Sequence, residues 1–531
     1  MGTVQRPNRL ILLVILGLSA VLAACSSGGG KGGSSSGNRD TIPDSFTLTT
    51  PSGVDPTKVD FGTAVVSAPV KITGINAPAP VSIQGGEFKI ESGGFTSTAS
   101  TISNGQSIQV RVQTPIKAEQ TATAILTIGG VEASFTVTTG PDTTPPEVSI
   151  LFPPPASMTE GQTLFVRGTV KDVHGALEDG AITVNGVEAD LVLNDSGDEG
   201  EWQVEVELED GLNAVAVTAV DAKGNSGVGA EIEATKAPIT EAFPSDDVPL
   251  KDPIGVVLSN EHDHPMIFIT DPTAKSVISI DLMDGSRKVL SDNAIQTDDP
   301  FDFPWRLAKG EGSTLYVSDR DKGSIFVVDT QTGIRTALSL QDPLNKIKEP
   351  KGIAYSPVDG QLYVPQDHSV FSIDTETGDV SIVVDYSSTP LAERPFLSIV
   401  DLTVDTKKNR ILALDNATYV SINLTSNDDE TFSLNERIYA VSIAIDQEAN
   451  RIYIVEAIKS RVAYLDGDLN QSSSFSTFGG DSSENRLVEP WGISVAPGFG
   501  FAVVADRKLK GLVAIDIESG RRVIISKSAT Q

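Results

Sequence analysis

Cysteine is almost missing from this chain: Cys25 stands alone in 531 residues, so no intrachain disulfide can form and packed cores must supply the stability. Histidine is nearly as scarce, with four residues, which leaves few general bases and few zinc ligands. Basic charge is short as well. The 40 lysines and arginines are dispersed among 71 acids, and a net charge of -31 argues against nucleic acid, whose phosphates require a basic stripe. Such acidity suits solubility and mutual repulsion. A bilayer-spanning helix takes about 20 apolar residues. The run from Leu10 to Ala24 has 15 and leads into Gly and Ser with no stop-transfer pattern. No nucleophile elbow, phosphate loop or metalloprotease helix occurs.

What the amino terminus does contain is ordered. Arg6 and Arg9 precede the apolar run, which ends in Leu22-Ala23-Ala24-Cys25, the layout of a secretory signal peptide over residues 1–24. The tetrapeptide resembles the lipobox of bacterial lipoproteins, which implies cleavage before Cys25, acylation of that cysteine and a lipid anchor in a membrane. A cysteine followed by Ser26-Ser27-Gly28-Gly29-Gly30 has nothing to be buried against, which leaves lipidation as its explanation. Ser26 in the position after the cysteine implies, by the family's sorting rule, the outer membrane, on its periplasmic side or at the cell surface. Residues 25–40 then form a Gly/Ser tether with an end-to-end reach of about 20 Å.

Cleavage before Cys25 leaves 507 residues, enough for three or four domains. Over residues 41–141, short runs such as Val70-Lys71-Ile72, Ile108-Gln109-Val110-Arg111-Val112 and Ser134-Phe135-Thr136-Val137 alternate polar and apolar positions. Gly85-Gly86, Asn104-Gly105 and Gly129-Gly130 punctuate them, which predicts an antiparallel β-sandwich. The segments KITGINAPAPVSIQGGEFKI and ILTIGGVEASFTVTT resemble a bacterial surface Ig-like repeat. A break at Pro141-Asp142-Thr143-Thr144-Pro145-Pro146 opens a second unit, 142–237, where PPEVSILFP, LFVRGTVKD and EWQVEVELEDGLNAVAVTAVDAKGN resemble another bacterial Ig-like module. Both are expected to act as spacers.

Residues 238–531 are dominated by an internal repeat. Asp281, Asp329, Asp374, Asn423, Asp466 and Asp516 align in SIDLMDG, VVDTQTG, SIDTETG, SINLTSN, YLDGDLN and AIDIESG, and the 235 residues from first to last make five intervals of 47 on average. That is the length of a four-stranded propeller blade. Asp or Asn can accept backbone N–H bonds at such a turn, and the Gly four residues on, replaced by Asn in the fourth and fifth copies, can take the left-handed conformation. The repeat resembles the six-bladed propellers of the NHL, YWTD and gluconolactonase-like groups. The fold class expected is therefore all-β: two Ig-like β-sandwiches followed by a six-bladed β-propeller. Its last outer strand is supplied by Arg521–Ser526, with Ile239–Phe243 as a competitor for closure.

A second register ends each second strand with Asp271, Asp319, Gln366, Asp415, Glu456 or Asp506, which should gather on the face where propellers usually take ligands. Two readings stand: a carboxylate mouth for a hard cation such as calcium, or acids that each satisfy backbone N–H groups in their own turn. Repetition in every blade favours the second. Trp305 and Trp491, after blade-opening prolines, could face the mouth together or pack between blades, and His368 is the one histidine placed on that face. His262 and His264 look like a metal-ligand pair but fall in a loop on the opposite face, without a third ligand. The loop Asn194–Glu199 is a second calcium candidate against a merely solvated hairpin. The gluconolactonase-like resemblance implies an axial metal held by a glutamate and asparagines, but the chain has Lys251-Asp252-Pro253 and Phe303-Pro304-Trp305-Arg306 in those places.

No catalytic residue is assigned and no cofactor is required, with calcium the one candidate. The leading expectation is a non-enzymatic, lipid-anchored envelope protein whose propeller binds a protein or glycan. A metal-dependent lactonase or lyase, and a structural role in envelope assembly, are the alternatives. Cys25→Ser should abolish incorporation of labelled palmitate and release the protein from the membrane fraction. Unchanged labelling would refute the anchor.

Overall fold

The computed structural model describes residues 39–529 apart from 243–247, 261–263, 343–346, 391–392, 397, 416–417, 427–428, 434–438, 469–475, 479–483 and 496–497. The leader, Cys25 and nearly all of the tether lie outside the described residues, as do His262, Asn427 and Asn470. The described residues form an all-β fold without an α-helix.

The first compact unit comprises the described residues up to Thr114 together with Thr121–Thr138. One sheet orders its strands Ser100–Ile102, Ala79–Gln84, Thr121–Ile128, Val131–Thr138; the other arranges Ala64–Val66, Val70–Lys71 and Glu87–Ile90 about Ser107–Gln113. The period-two pattern sets the burial. In Ser107–Gln113, Ile108, Val110 and Val112 are buried and pack with Phe88, Phe135 and Leu126 in one core, while the residues between them face outward.

The second unit holds residues 139–531 with Pro115–Gln120. It opens with a four-stranded sheet in the order Asp190–Leu193, Glu199–Glu207, Thr163–Lys171, Glu147–Phe152, whose buried Trp202 donates from Nε1 to the Thr169 carbonyl. A facing sheet runs Val187–Glu188, Ile182–Val184, Gly211–Val220, Ser226–Lys236, Ala156–Thr159, and does not stop there. Ala156–Thr159 pairs in parallel with Ser226–Lys236 on one side and antiparallel, through Met158 and Ile524, with Arg522–Lys527 on the other. Nine strands thus make one sheet reaching the last strand of the repeat region.

The repeat region is six successive antiparallel meanders of four strands. Their first strands are Val256–Ser259, Pro304–Lys309, Ala354–Ser356, Asp401–Asp405, Ala440–Asp446 and Pro490–Val495. Each packs beside the next, and the sixth lies against the first. Their third strands end at Asp281, Asp329, Asp374, Asn423, Asp466 and Asp516, the aligned positions of the repeat. The carbonyls of Asp281, Asp329, Asp374 and Asp516 accept the N–H of Gly285, Gly333, Gly378 and Gly520 at 2.8–2.9 Å, with those glycines at φ 67–75°. The side chains cap the same turns: Asp329 Oδ1 accepts from Gln331 and Thr332, and Asn423 Oδ1 from Thr425 and Ser426. Bonds from Ser313 and Thr332 pull the Asp329 carboxyl down to about 2. A side chain at Gly333 would also meet the Leu290 carbonyl of the preceding sheet at 1.8 Å, so the turn and the packing of neighbouring sheets both require glycine there.

The sixth meander is continuous, from Pro490–Val495 to Arg522–Lys527. Residues 239–242 carry no strand, and Phe243 is outside the described residues. The outer edge that Arg522–Lys527 would expose is covered by Ala156–Thr159. Beside that junction, Arg167 donates from Nε and Nη2 to Asp516 Oδ1 at 2.9 and 2.6 Å and from Nη2 to the Gly500 carbonyl, with Arg167 6% and Asp516 0% exposed. One apolar core joins Trp202 and Val217 to Ile267, Val503 and Val523. The texture change near residue 238 therefore does not separate two cores.

Removing one partner of a buried ion pair strands the other without counter-charge. Arg167→Met should cost roughly 3–5 kcal/mol of stability, read from the urea midpoint. An unchanged midpoint would show that the junction does not rely on the pair.

Candidate functional site

In an antiparallel meander the end of the second strand lies beside the start of the first, so an acid at that end can reach the backbone entering its own sheet. Asp271 Oδ2 accepts the N–H of Lys251 and Asp252 at 2.7 and 3.0 Å, and Oδ1 that of Ala274. Asp319 takes Asp302, Phe303 and Lys322; Asp506 takes Val488, Glu489 and Leu509. Gln366 Oε1 accepts from Lys348 and Glu349, Asp415 Oδ2 from Ser398, and Glu456 Oε1 bonds Arg461. Asp271, Asp319, Glu456 and Asp506 are fully buried. Burial pushes the Asp506 carboxyl above its ordinary value against the pull of its three N–H donors. In every sheet but the fifth, where Glu456 meets the Arg461 side chain, these oxygens hold the backbone entering the sheet.

The same ends bring the two tryptophans together. Pairing slips at Pro304/Arg306 and again at Pro490/Gly492, so Trp305 and Trp491 are the extra residues of two β-bulges. A bulge re-aims its residue out of the pleat. The indoles meet edge to face at 6.0 Å and 84°, and both remain half-buried. Phe303 stacks on Trp305 at 5.4 Å; the Arg320 guanidinium lies over both rings, and that of Arg507 over Trp491 at 4.7 Å. Arg507 is held by Asp252, to which its Nε donates at 2.5 Å, and by Glu489. Trp491 Nε1 is buried without an acceptor.

Behind the pair, the first strands of all six sheets line a cavity of about 270 Å³. Its end is spanned by Arg306, 5% exposed, which donates from Nη1 to the Ile254 carbonyl at 3.2 Å and from Nη2 to the carbonyls of Val441 and Trp491 at 2.5 and 3.1 Å. Val441 is also the extra residue of a bulge, at Ala440/Ser442. Arg306 Nε lies 3.8 Å from Asp401 Oδ2, which accepts the Ser442 hydroxyl at 2.7 Å and the Ile443 N–H. Burial lowers the Arg306 pKa and raises that of Asp401, with their mutual attraction opposing both shifts. A side chain at Gly492 would meet the Ile254 carbonyl at 2.1 Å, so only glycine lets the first and sixth sheets approach so closely.

His368 sits in the corresponding hairpin of the third sheet, half-buried, with Nδ1 lacking a partner; no contact among the described residues ties it to the tryptophans. His264 pairs with Asp281. In the Asn194–Glu199 loop, Asp198 is taken by Lys117 at 2.8 Å and by Asn194, which hold its carboxyl well below the ordinary range. Sequence reading passed over Arg306, Arg320, Arg507 and Asp401. The signal for Arg306 was a charge inside a strand of otherwise inward-facing pattern.

No family model matches the chain, and neither does any curated protein. It is similar to a structural genomics protein of unknown function from Bacteroides thetaiotaomicron VPI-5482, 13% identical, covering 71% of this chain and 98% of that one, with a TM-score of 0.42. It is also similar to a chain of a nidogen/laminin complex, 15% identical, covering 54% and 98%, with a TM-score of 0.37. Likenesses this remote leave the functional reading to the site itself.

Arg306→Leu would orphan three carbonyls and the buried Asp401 together, and a loss of roughly 3–5 kcal/mol is expected in denaturant unfolding. Arg306→Leu with Asp401→Leu should recover part of it, and a double variant no more stable than the single one would show that the two side chains are not coupled.

Proposed function

We propose that this protein is a lipid-anchored envelope protein in which two Ig-like β-sandwiches carry a six-bladed β-propeller, and that the propeller binds a protein partner through the Trp305–Trp491 face. The propeller reading is supported by six four-stranded meanders whose first strands contact one another in a full circuit around one cavity. The anchor rests on the lipobox at Cys25 and the tether behind it.

The observation that carries the binding function is the half-buried tryptophan pair, flanked by stacked guanidinium groups and holding an indole N–H without an acceptor. Tryptophan and arginine dominate the energetic centres of protein interfaces, where rigid rings offer large contact area at small entropic cost. The rings are pre-set by bulges and by Arg306, so little ordering is left to do on binding. A glycan would use the same rings by stacking. The lactonase alternative draws no support from Asp271, Asp319 and Asp506, whose oxygens are occupied by backbone N–H groups.

The test is capture of envelope proteins, in parallel with a glycan array, by purified protein and by its Trp305→Ala and Trp491→Ala variants. Affinity for the captured protein should fall about thirtyfold or more in either variant, the loss of about 2 kcal/mol expected at an interface centre, with the thermal midpoint retained. Binding that ignores both substitutions would overturn the assignment, and glycan binding that follows them would replace the protein partner with a sugar.

A further inference from the structure

Three buried acids converge at one end of the second sandwich. Asp142 precedes the strand Glu147–Phe152, Asp172 follows Thr163–Lys171, and Asp221 follows Gly211–Val220. Antiparallel pairing of Glu147 with Lys171 and the hairpin between Val220 and Ser226 bring these ends together. The three are 5%, 1% and 6% exposed, and one oxygen from each lies within 4.8 Å of the others.

Each carboxylate is pinned through its Oδ1. Asp142 Oδ1 accepts the N–H and hydroxyl of Thr144 at 3.0 and 2.7 Å; Asp172 Oδ1 accepts the N–H of His174 and Gly175; Asp221 Oδ1 accepts those of Lys223 and Asn225. Asp221 Oδ2 has the Asn225 amide at 2.7 Å. Asp142 Oδ2 and Asp172 Oδ2 have no hydrogen-bond partner at all, although both are buried. They aim at one place: a side chain at Gly175 would come within 2.2 Å of the first and 2.5 Å of the second. The neighbouring cations are committed elsewhere. Lys117 Nζ is bound to the carbonyls of Asp172 and Gly175 and to Asp198, and Lys223 Nζ pairs with Glu119.

A buried acceptor left unmade is costly, and two such oxygens aimed at one place beside a third carboxylate would be satisfied together by a single cation. We infer that Asp142, Asp172 and Asp221 form a calcium site that ties together three chain segments of the second sandwich. The donors are oxygens alone, which selects a hard cation over zinc. Three carboxylates on turns suit the larger, more flexible shell of calcium better than the octahedron of magnesium, which usually keeps several waters and takes one or two carboxylates. The inference is independent of what the tryptophan face binds.

Purified full-length protein, stripped with a chelator, is titrated with calcium alone by calorimetry and by equilibrium dialysis, and its thermal midpoint is followed. One ion per chain should bind with a Kd of roughly 10⁻⁴–10⁻³ M, as in extracellular calcium modules, and the midpoint should rise on addition and fall back with chelator. Asp172→Asn should abolish both effects while leaving the calcium-free midpoint equal to or above that of the parent, because a repelling charge is removed. Gly175→Ala, which crowds the two orphan oxygens, should also abolish binding. No binding up to about 10 mM calcium, tenfold above the weak end of that range, would overturn the site. So would calcium binding that survives Asp142→Asn and Asp172→Asn, or a response to magnesium with none to calcium.

Discussion

One guanidinium links five of the six repeated sheets. Arg306 leaves the second, reaches carbonyls at the first, fifth and sixth, and faces the carboxylate of Asp401 in the fourth. A buried charge is a poor source of net stability, because desolvation offsets most of what its partners return. What it supplies is a geometric condition: the carbonyls of Val441 and Trp491 converge on it only if the sheets stand in one arrangement. The bulge that presents the Trp491 carbonyl to Arg306 also re-aims the Trp491 side chain, and a matching bulge in the second sheet re-aims Trp305. At Trp491 the centre of the repeat region and the aromatic face are thus two sides of one backbone irregularity.

A second constraint acts at the outer rim. A meander leaves its last strand with unpaired N–H and C=O groups, and in the sixth sheet that edge is taken by Ala156–Thr159 from the preceding sandwich. Arg167 and Asp516 lock the junction beneath it. The aspartate that caps the sixth turn by accepting from Ser519 is also the counter-ion of a residue 349 positions earlier. Residues 139–531 accordingly form one compact unit, and the sandwich in it is a fixed mount for the repeat region.

Much of the repeat region was readable from the chain because its information is local. The strand ends at Asp281, Asp329, Asp374 and Asp516 and the left-handed glycines that follow are set within five residues, so the turn chemistry appears in the sequence as a recurring word. The acids from Asp271 to Asp506 were legible as a series for the same reason, and their two readings diverged only on whether the backbone N–H groups at each sheet's entry lay within reach. The shared position of Trp305 and Trp491 after a proline left two readings, a common mouth or packing between blades, and nothing in either segment announces the arginines stacked on them.

The sequence by itself determined the all-β class, the six-fold repeat, the turn positions and the shortage of catalytic groups, since each follows from periodicity, composition or a single turn. Only the tertiary structure decided the partners of Arg306, the sheet continued across the boundary near residue 238, and the meeting of Asp142, Asp172 and Asp221. Those contacts join segments from about 30 to about 350 residues apart. Hydrophobic periodicity fixes which face of a strand is buried but not which distant strand covers it. A charge in such a strand carries no mark of its partner, and the answer exists only once the chain has brought the two together.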